Sequence, residues 1–156
     1  MTDIANPEDT LVLDLDTGKV VIEMLPEKAP GHVARIKELA RDGFYDGLVF
    51  HRVIEGFMAQ GGCPEGVGTG GSGQHLKAEF NDVSHQRGVC SMARAQDPDS
   101  ASSQFFICFD DASFLDNQYT AWGKVIDGMD NVDAITRGEP PAEPTKINTM
   151  KVAADI

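Results

Sequence analysis

The stretch from Val49 to Gly62 sets one guanidinium and one side-chain amide among apolar groups. Arg52 lies between Phe50 and His51 on one side and Val53 and Ile54 on the other. Phe57, Met58 and Gln60 follow within eight residues, then a glycine pair. Side chains of a strand alternate between faces, so Phe50, Arg52 and Ile54 are expected on one face and His51 and Val53 on the other. Gly56 allows a bend, and the alternation need not continue to Met58 and Gln60. A mostly apolar surface with one arginine and one glutamine suits a ligand that is greasy but carries a polar backbone, namely a peptide. Taken alone, Arg52 also reads as an ordinary surface arginine. Phe57, Met58 and Phe106 read equally well as plain core.

Other groups offer less. His51 has no Asp, Glu or Cys at ligand spacing, so a packed, hydrogen-bonded histidine is expected rather than a metal ligand. Cys63 and His75 are separated by a glycine-rich run, 61–73, and no zinc site is expected there. That run lacks the Gly-Lys-Ser/Thr ending of a phosphate loop and reads as a surface loop. Cys90 and Cys108 fall in strand-like segments and are expected to be buried and inert. No metal or other cofactor is expected.

These residues need elements to hold them. Leu11, Leu13 and Leu15 recur at every second position, a turn follows at 16–19, and residues 20–25 form the second arm of a hairpin. Val33, Ile36, Leu39 and Ala40 recur at helical spacing behind Pro30, predicting a helix over 30–41 that ends at Gly43. Residues 48–60 read as a strand pair, 88–93 as a strand, and 104–109 as a strand apolar on both faces and central. Phe80 is expected to anchor the polar run 74–87. A strand over 119–125, a short helix around Met129, Val132 and Ile135 closed by Gly138, a proline-rich connector at 139–144 and a last strand at 147–153 complete the chain. Seven or eight short strands without βαβ alternation predict a mainly β, closed antiparallel barrel with two α-helices covering its ends.

The chain has 156 residues and a net charge of −12, with 41% hydrophobic residues. One domain, 1–156, is expected, with 1–10 as a polar extension. The acidity disfavours phosphate backbones and anionic membranes. The polar start does not read as a signal peptide, and three widely spaced cysteines read as thiols of a reducing compartment. The cytoplasm is therefore the expected location. No coiled coil or apolar exposed stripe is visible, which points to a monomer.

Four motifs now stand in order: Phe50-His51-Arg52-Val53-Ile54, Gly56 to Gly62, Ser91-Met92-Ala93, and Ser103 to Ile107. With Gly68-Thr69-Gly70-Gly71 and Phe114-Leu115-Asp116, they closely resemble the cyclophilin family of peptidyl-prolyl isomerases over about residues 11–152. The resemblance implies an eight-stranded antiparallel barrel capped by two helices, with the active site on its outer face. It implies Arg52 as the catalytic arginine, with Gln60 and Gln104 holding it and the substrate backbone. Phe57, Met58, Phe106 and Leu115 become the walls of a proline pocket, Ala93 part of the adjoining groove, and His51 the partner of the arginine. Three positions depart from the common pattern. Phe114 stands where many members have a Trp that contacts cyclosporin, which implies weakened affinity for such macrocycles. Tyr119 stands where many have His, and is kept as a binding residue. Arg94 replaces an Asn whose main chain contacts substrate, so the groove gains a positive charge.

The implied reaction is rotation about X-Pro bonds in proline-containing peptides and unfolded proteins. A proline-peptide binding module or holdase would use the same pocket without turnover, and Arg52 favours the enzyme. A small-molecule-binding barrel would need an interior cavity, which bulky inward residues leave no room for.

Overall fold

The computed structural model describes residues 6–64, 66 and 71–156. The expected loop at Gly68 to Gly70, and residues 1–5 of the N-terminal extension, lie outside them. The local signals act where they were read. β1 (Thr10–Leu15) and β2 (Gly18–Met24) form the opening hairpin, with Leu13 opposite Val20. α1 (Pro30–Arg41) starts on Pro30, where the missing N–H would have had no partner in any case. Glu79 caps it from 48 residues away, accepting from the backbone N–H of Gly31 and His32 at 3.0 and 2.8 Å. A carboxylate there satisfies otherwise orphaned amides and meets the positive end of the helix dipole.

β3 (Phe50–Ile54), β4 (Met58–Gly61), β5 (Val89–Met92), β6 (Phe105–Cys108), β7 (Ala121–Asp127) and β8 (Ile147–Val152) complete one antiparallel sheet. Its order is β3-β4-β6-β5-β7-β2-β1-β8. α2 (Met129–Asp133) is shorter than its apolar spacing predicts, and Gly138 does not close it. Gly138 instead exchanges both backbone hydrogen bonds with Val53, at 2.8 and 2.9 Å.

That exchange corrects the expectation of a closed barrel. The eight strands curve into a half-barrel whose ends, β3 and β8, do not ladder together. The connector after α2 occupies the β3 edge at Val53, and an isolated bridge between Val49 and Lys146 links the two sides. The concave side is packed solid. Trp122, Phe50, Phe105, Leu11, Leu13, Ile22 and Ile107 are fully buried in one continuous core, which α1 joins through Val33, Ile36 and Leu39. Each such side chain contributes about 1.5–3 kcal/mol by leaving water. Phe105 meets Tyr45, Phe50 and Trp122 edge-on, at centroid distances of 5.6, 6.1 and 6.0 Å.

Two side chains are not where periodicity puts them. Phe80 is 42% exposed and belongs to neither apolar cluster. The run 74–87 is tied down instead by Leu76 against the core and by the side-chain amide of Asn81, which donates to the carbonyls of Lys28, Glu79 and Ala121. In β3 the register shifts between Phe50 and Arg52. That bulge at His51 sends Phe50 into the core with Val53, while Arg52 faces outward, so Phe50 and Arg52 do not share a face.

Candidate functional site

β6 is apolar on both faces because each face has its own cluster. Phe105 and Ile107 join the main core. Phe106 and Cys108 point the other way and pack with Met58, Ala112, Phe57, Leu115 and Tyr119. Strand register then assembles an outer site. Gln60 lies opposite Phe106 across β4 and β6, and Arg52 lies opposite Gln60 across β3 and β4. Burial pushes the Cys108 thiol in this cluster up to about 12, so it stays protonated.

A recess of about 130 Å³ opens on this face, walled by Phe57, Met58, Phe106, Leu115 and Tyr119. Arg52, Gln60, Ala93 and Arg94 complete it. Phe106 and Tyr119 meet edge-on at 5.9 Å. A larger recess of about 470 Å³ adjoins it, sharing Gln60, Ala93 and Arg94 and taking in Gln104 and His75.

The guanidinium of Arg52 is held in series. Nε donates to Glu139 Oε1 at 3.1 Å and Nη1 to Gln60 Oε1 at 3.3 Å. Gln60 Nε2 donates onward to Gln104 Oε1 at 2.9 Å. A guanidinium can only donate, so the carbonyl end of Gln60 must face it.

Nine of the expected residues are thus brought to the smaller recess, and Gln104 to the adjoining one. Two are not. His51 is buried beneath the bulge, with Nδ1 lacking a hydrogen-bond partner, so it is not the fully bonded histidine expected. Burial, and next the charge of Arg52, lower its pKa, which keeps the ring neutral at neutral pH. Phe114 does not line the recess. It stands 64% exposed on the turn Ser113–Leu115, with its ring 5.5 Å from that of Phe57.

Glu139 is a contact that sequence reasoning missed. It sits 87 residues from Arg52, and no local pattern marks it. A second is the buried series under the recess. His85 Nδ1 is 3.0 Å from Asp116 Oδ1 and Nε2 is 2.9 Å from Ser91 Oγ, and the ring stacks on Phe106 at 6.2 Å. The His85 backbone N–H first, and the Ser84 hydroxyl next, hold the Asp116 carboxyl below the usual range. An ionised Asp116 can only accept, so it takes the proton of His85 Nδ1–H, and Ser91 Oγ pairs with Nε2 on the far side of the ring. Ser, His and Asp in series are the parts of an acyl-transfer nucleophile. Ser91 is wholly buried, however, and no substrate reaches it. The series is a strut between β5, Phe106 and the segment carrying Leu115.

Comparison with known proteins places this geometry. The family model described as cyclophilin-type peptidyl-prolyl cis-trans isomerase matches residues 10–152. A probable peptidyl-prolyl cis-trans isomerase of Brucella suis biovar 1 (strain 1330) is 48% identical, covering 97% of this chain and 86% of its own. Peptidyl-prolyl cis-trans isomerase B of Bacillus subtilis (strain 168) is 46% identical, covering 80% and 87%. A crystal structure of a cyclophilin from Hirschia baltica superimposes with a TM-score of 0.90 at 30% identity, covering 97% of this chain and 76% of that one. A Cryptosporidium parvum cyclophilin-type isomerase, crystallised in the presence of the dipeptide Ala-Pro, gives 0.85 at 27% identity, covering 92% and 98%. With nine of the expected residues around one recess and the match running nearly end to end, the chain belongs to the cyclophilin-type peptidyl-prolyl cis-trans isomerases.

Proposed function

We propose that this isomerase turns X-Pro bonds by seating the proline ring in the smaller recess while Arg52 stabilises the twisted imide. A planar peptide bond resists rotation by roughly 18–20 kcal/mol because nitrogen shares its lone pair with the carbonyl. The two X-Pro isomers differ by only about 0.5–1 kcal/mol, so both are populated and exchange is slow. The catalyst must therefore favour the half-rotated form over either planar one. In that form the proline nitrogen is pyramidal and its lone pair accepts a hydrogen bond. A guanidinium stays charged and keeps its donors in a rigid fork, and apolar walls strengthen the bond by lowering the local dielectric.

The observation that carries this reading is the pairing of a tethered guanidinium with a recess of about 130 Å³ that Phe57, Met58, Phe106 and Leu115 wall, a size that suits a five-membered ring. Phe57, Met58, Phe106 and Leu115 hold the ring, with Tyr119 offering an apolar face and a hydroxyl. Gln60 aims Arg52, and Gln104 and Ala93 serve the backbone on either side. Substrates are proline-containing peptides and unfolded proteins, met by one domain acting as a monomer in the cytoplasm. Cyclosporin-type macrocycles bind with reduced affinity, since Phe114 offers them a smaller contact than Trp.

Exchange NMR on an Ala-Pro peptide tests the mechanism. Arg52→Ala should lower turnover by about tenfold or more with the circular dichroism spectrum unchanged. A variant turning over at the wild-type rate would remove Arg52 from the mechanism. Binding without acceleration by the wild type would favour the holdase.

A further inference from the structure

Six arginines stand in a chain with 25 acidic residues. Five of them meet a carboxylate: Arg35 with Glu38, Arg41 with Glu8 and Asp155, Arg52 with Glu139, Arg87 with Asp133, and Arg137 with Glu55. Arg94 does not, among the described residues. Its Nε and Nη2 donate to the Gln118 carbonyl at 3.1 and 2.6 Å, and its Nη1 donates to the carbonyls of Ala95 and Gln96 at 2.9 and 3.2 Å. Its carbon centre lies 4.6 Å above the Tyr119 ring. Four of the five guanidinium hydrogens are thus taken by neutral oxygens, which fix the group without cancelling its charge. The fifth, on Nη2, has no acceptor among the described residues.

The position of this cation matters more than its isolation. Arg94 belongs to both recesses, on the wall they share, and among the described residues neither recess is lined by any Asp or Glu. The larger recess has polar walls and is too big for a proline ring alone. Its serines are already engaged. Ser102 Oγ accepts from the Ser72 backbone N–H at 2.8 Å, and Ser100 Oγ donates to the Asp97 carbonyl at 2.6 Å. The unneutralised charge of Arg94 is therefore the strongest feature that the larger recess presents to a side chain.

We infer that the larger recess selects an anionic side chain, Asp or Glu, carried by the substrate close to its proline, with Arg94 as the specificity-determining residue. This rests on the isomerase reading above. The net charge of −12 repels an acidic peptide at long range. At about 0.15 M salt that repulsion is screened beyond about 8 Å, while a contact pair at Arg94 is not.

The test is exchange NMR at near-neutral pH and about 0.15 M salt. Peptides carry Glu at each position flanking an Ala-Pro unit, each matched with a Gln twin. At one placement the wild type should turn over the Glu peptide with a kcat/KM about fivefold higher than its twin. Arg94→Gln should bring that ratio to one or below, and Arg94→Lys should retain part of it. The ratio is internal to each variant, so an overall loss of rate cancels. A ratio of one at every placement in the wild type, or a preference surviving in Arg94→Gln, would overturn the inference while leaving the isomerase intact. Failure to accelerate the Gln peptides would instead overturn the isomerase reading, and this inference with it.

Discussion

Replacing His85 with Ala tests whether the recess floor depends on the strut beneath it. His85 is 1% exposed and Ser91 is completely buried. Removing the imidazole leaves the Ser91 hydroxyl without its partner, at a cost of about 1–3 kcal/mol. The void left under Phe106 adds a cavity cost of about 2 kcal/mol. The Asp116 side adds little, because its carboxylate is partly exposed and keeps the His85 backbone N–H at 2.7 Å and the Ser84 hydroxyl at 2.7 Å. The expected loss is therefore about 3–5 kcal/mol. For a chain of this length each kcal/mol moves Tm by about 2–4 °C, so calorimetry should show a drop of about 6–20 °C. Urea unfolding should give the same loss through the midpoint at an unchanged slope. Phe106 would also lose the ring it stacks on, so KM for an Ala-Pro peptide should rise more than kcat falls. His85→Gln, whose amide can still reach Ser91, should recover part of both effects. A His85→Ala protein losing less than about 1 kcal/mol, with KM unchanged, would refute the strut.

Gly62 has φ of +89°, and a Cβ there would sit 2.6 Å from the Ser103 carbonyl oxygen. Gly62→Ala should cost about 2 kcal/mol or more in urea unfolding, and a neutral result would mean that this turn relaxes freely. His32 and His51 both have pKa values lowered, in each case chiefly by burial. Their unfolded forms, with a pKa of about 6.5, take up protons before the folded ones do, so stability is full above about pH 6.5 and falls as the pH drops through the folded-state values. The urea midpoint should be lower at about pH 5.5 than at about pH 7.5, and a flat profile would contradict it.

Much of the fold is written in short-range patterns. Pro30 and the four apolar positions behind it place α1 over Pro30–Arg41, because helix periodicity and proline sterics act within a few residues. The leucines of β1 and the turn after them place the first hairpin for the same reason. The double-sided burial of β6 was readable from Phe105 to Cys108, since a strand apolar on both faces must be covered on both. The motifs from Phe50 to Ile107 carried six of the recess's lining residues, Arg52, Phe57, Met58, Gln60, Ala93 and Phe106, and the Phe114-Leu115-Asp116 segment carried Leu115.

What sequence could not supply depends on strand order and register, which join residues far apart in the chain. The bulge at His51 turns Phe50 inward because the core needs that ring, overriding the alternation of the strand. Phe80 stays outside both apolar clusters, and Asn81 ties its segment to the sheet instead. The barrel stays open because the backbone of Gly138 takes the β3 edge at Val53, away from β8. Glu139 reaches Arg52, and His85 reaches both Ser91 and Asp116, only once the sheet has formed. Propensity is local, whereas a counter-ion or a buried strut is fixed by whichever distant atoms packing brings within hydrogen-bond reach.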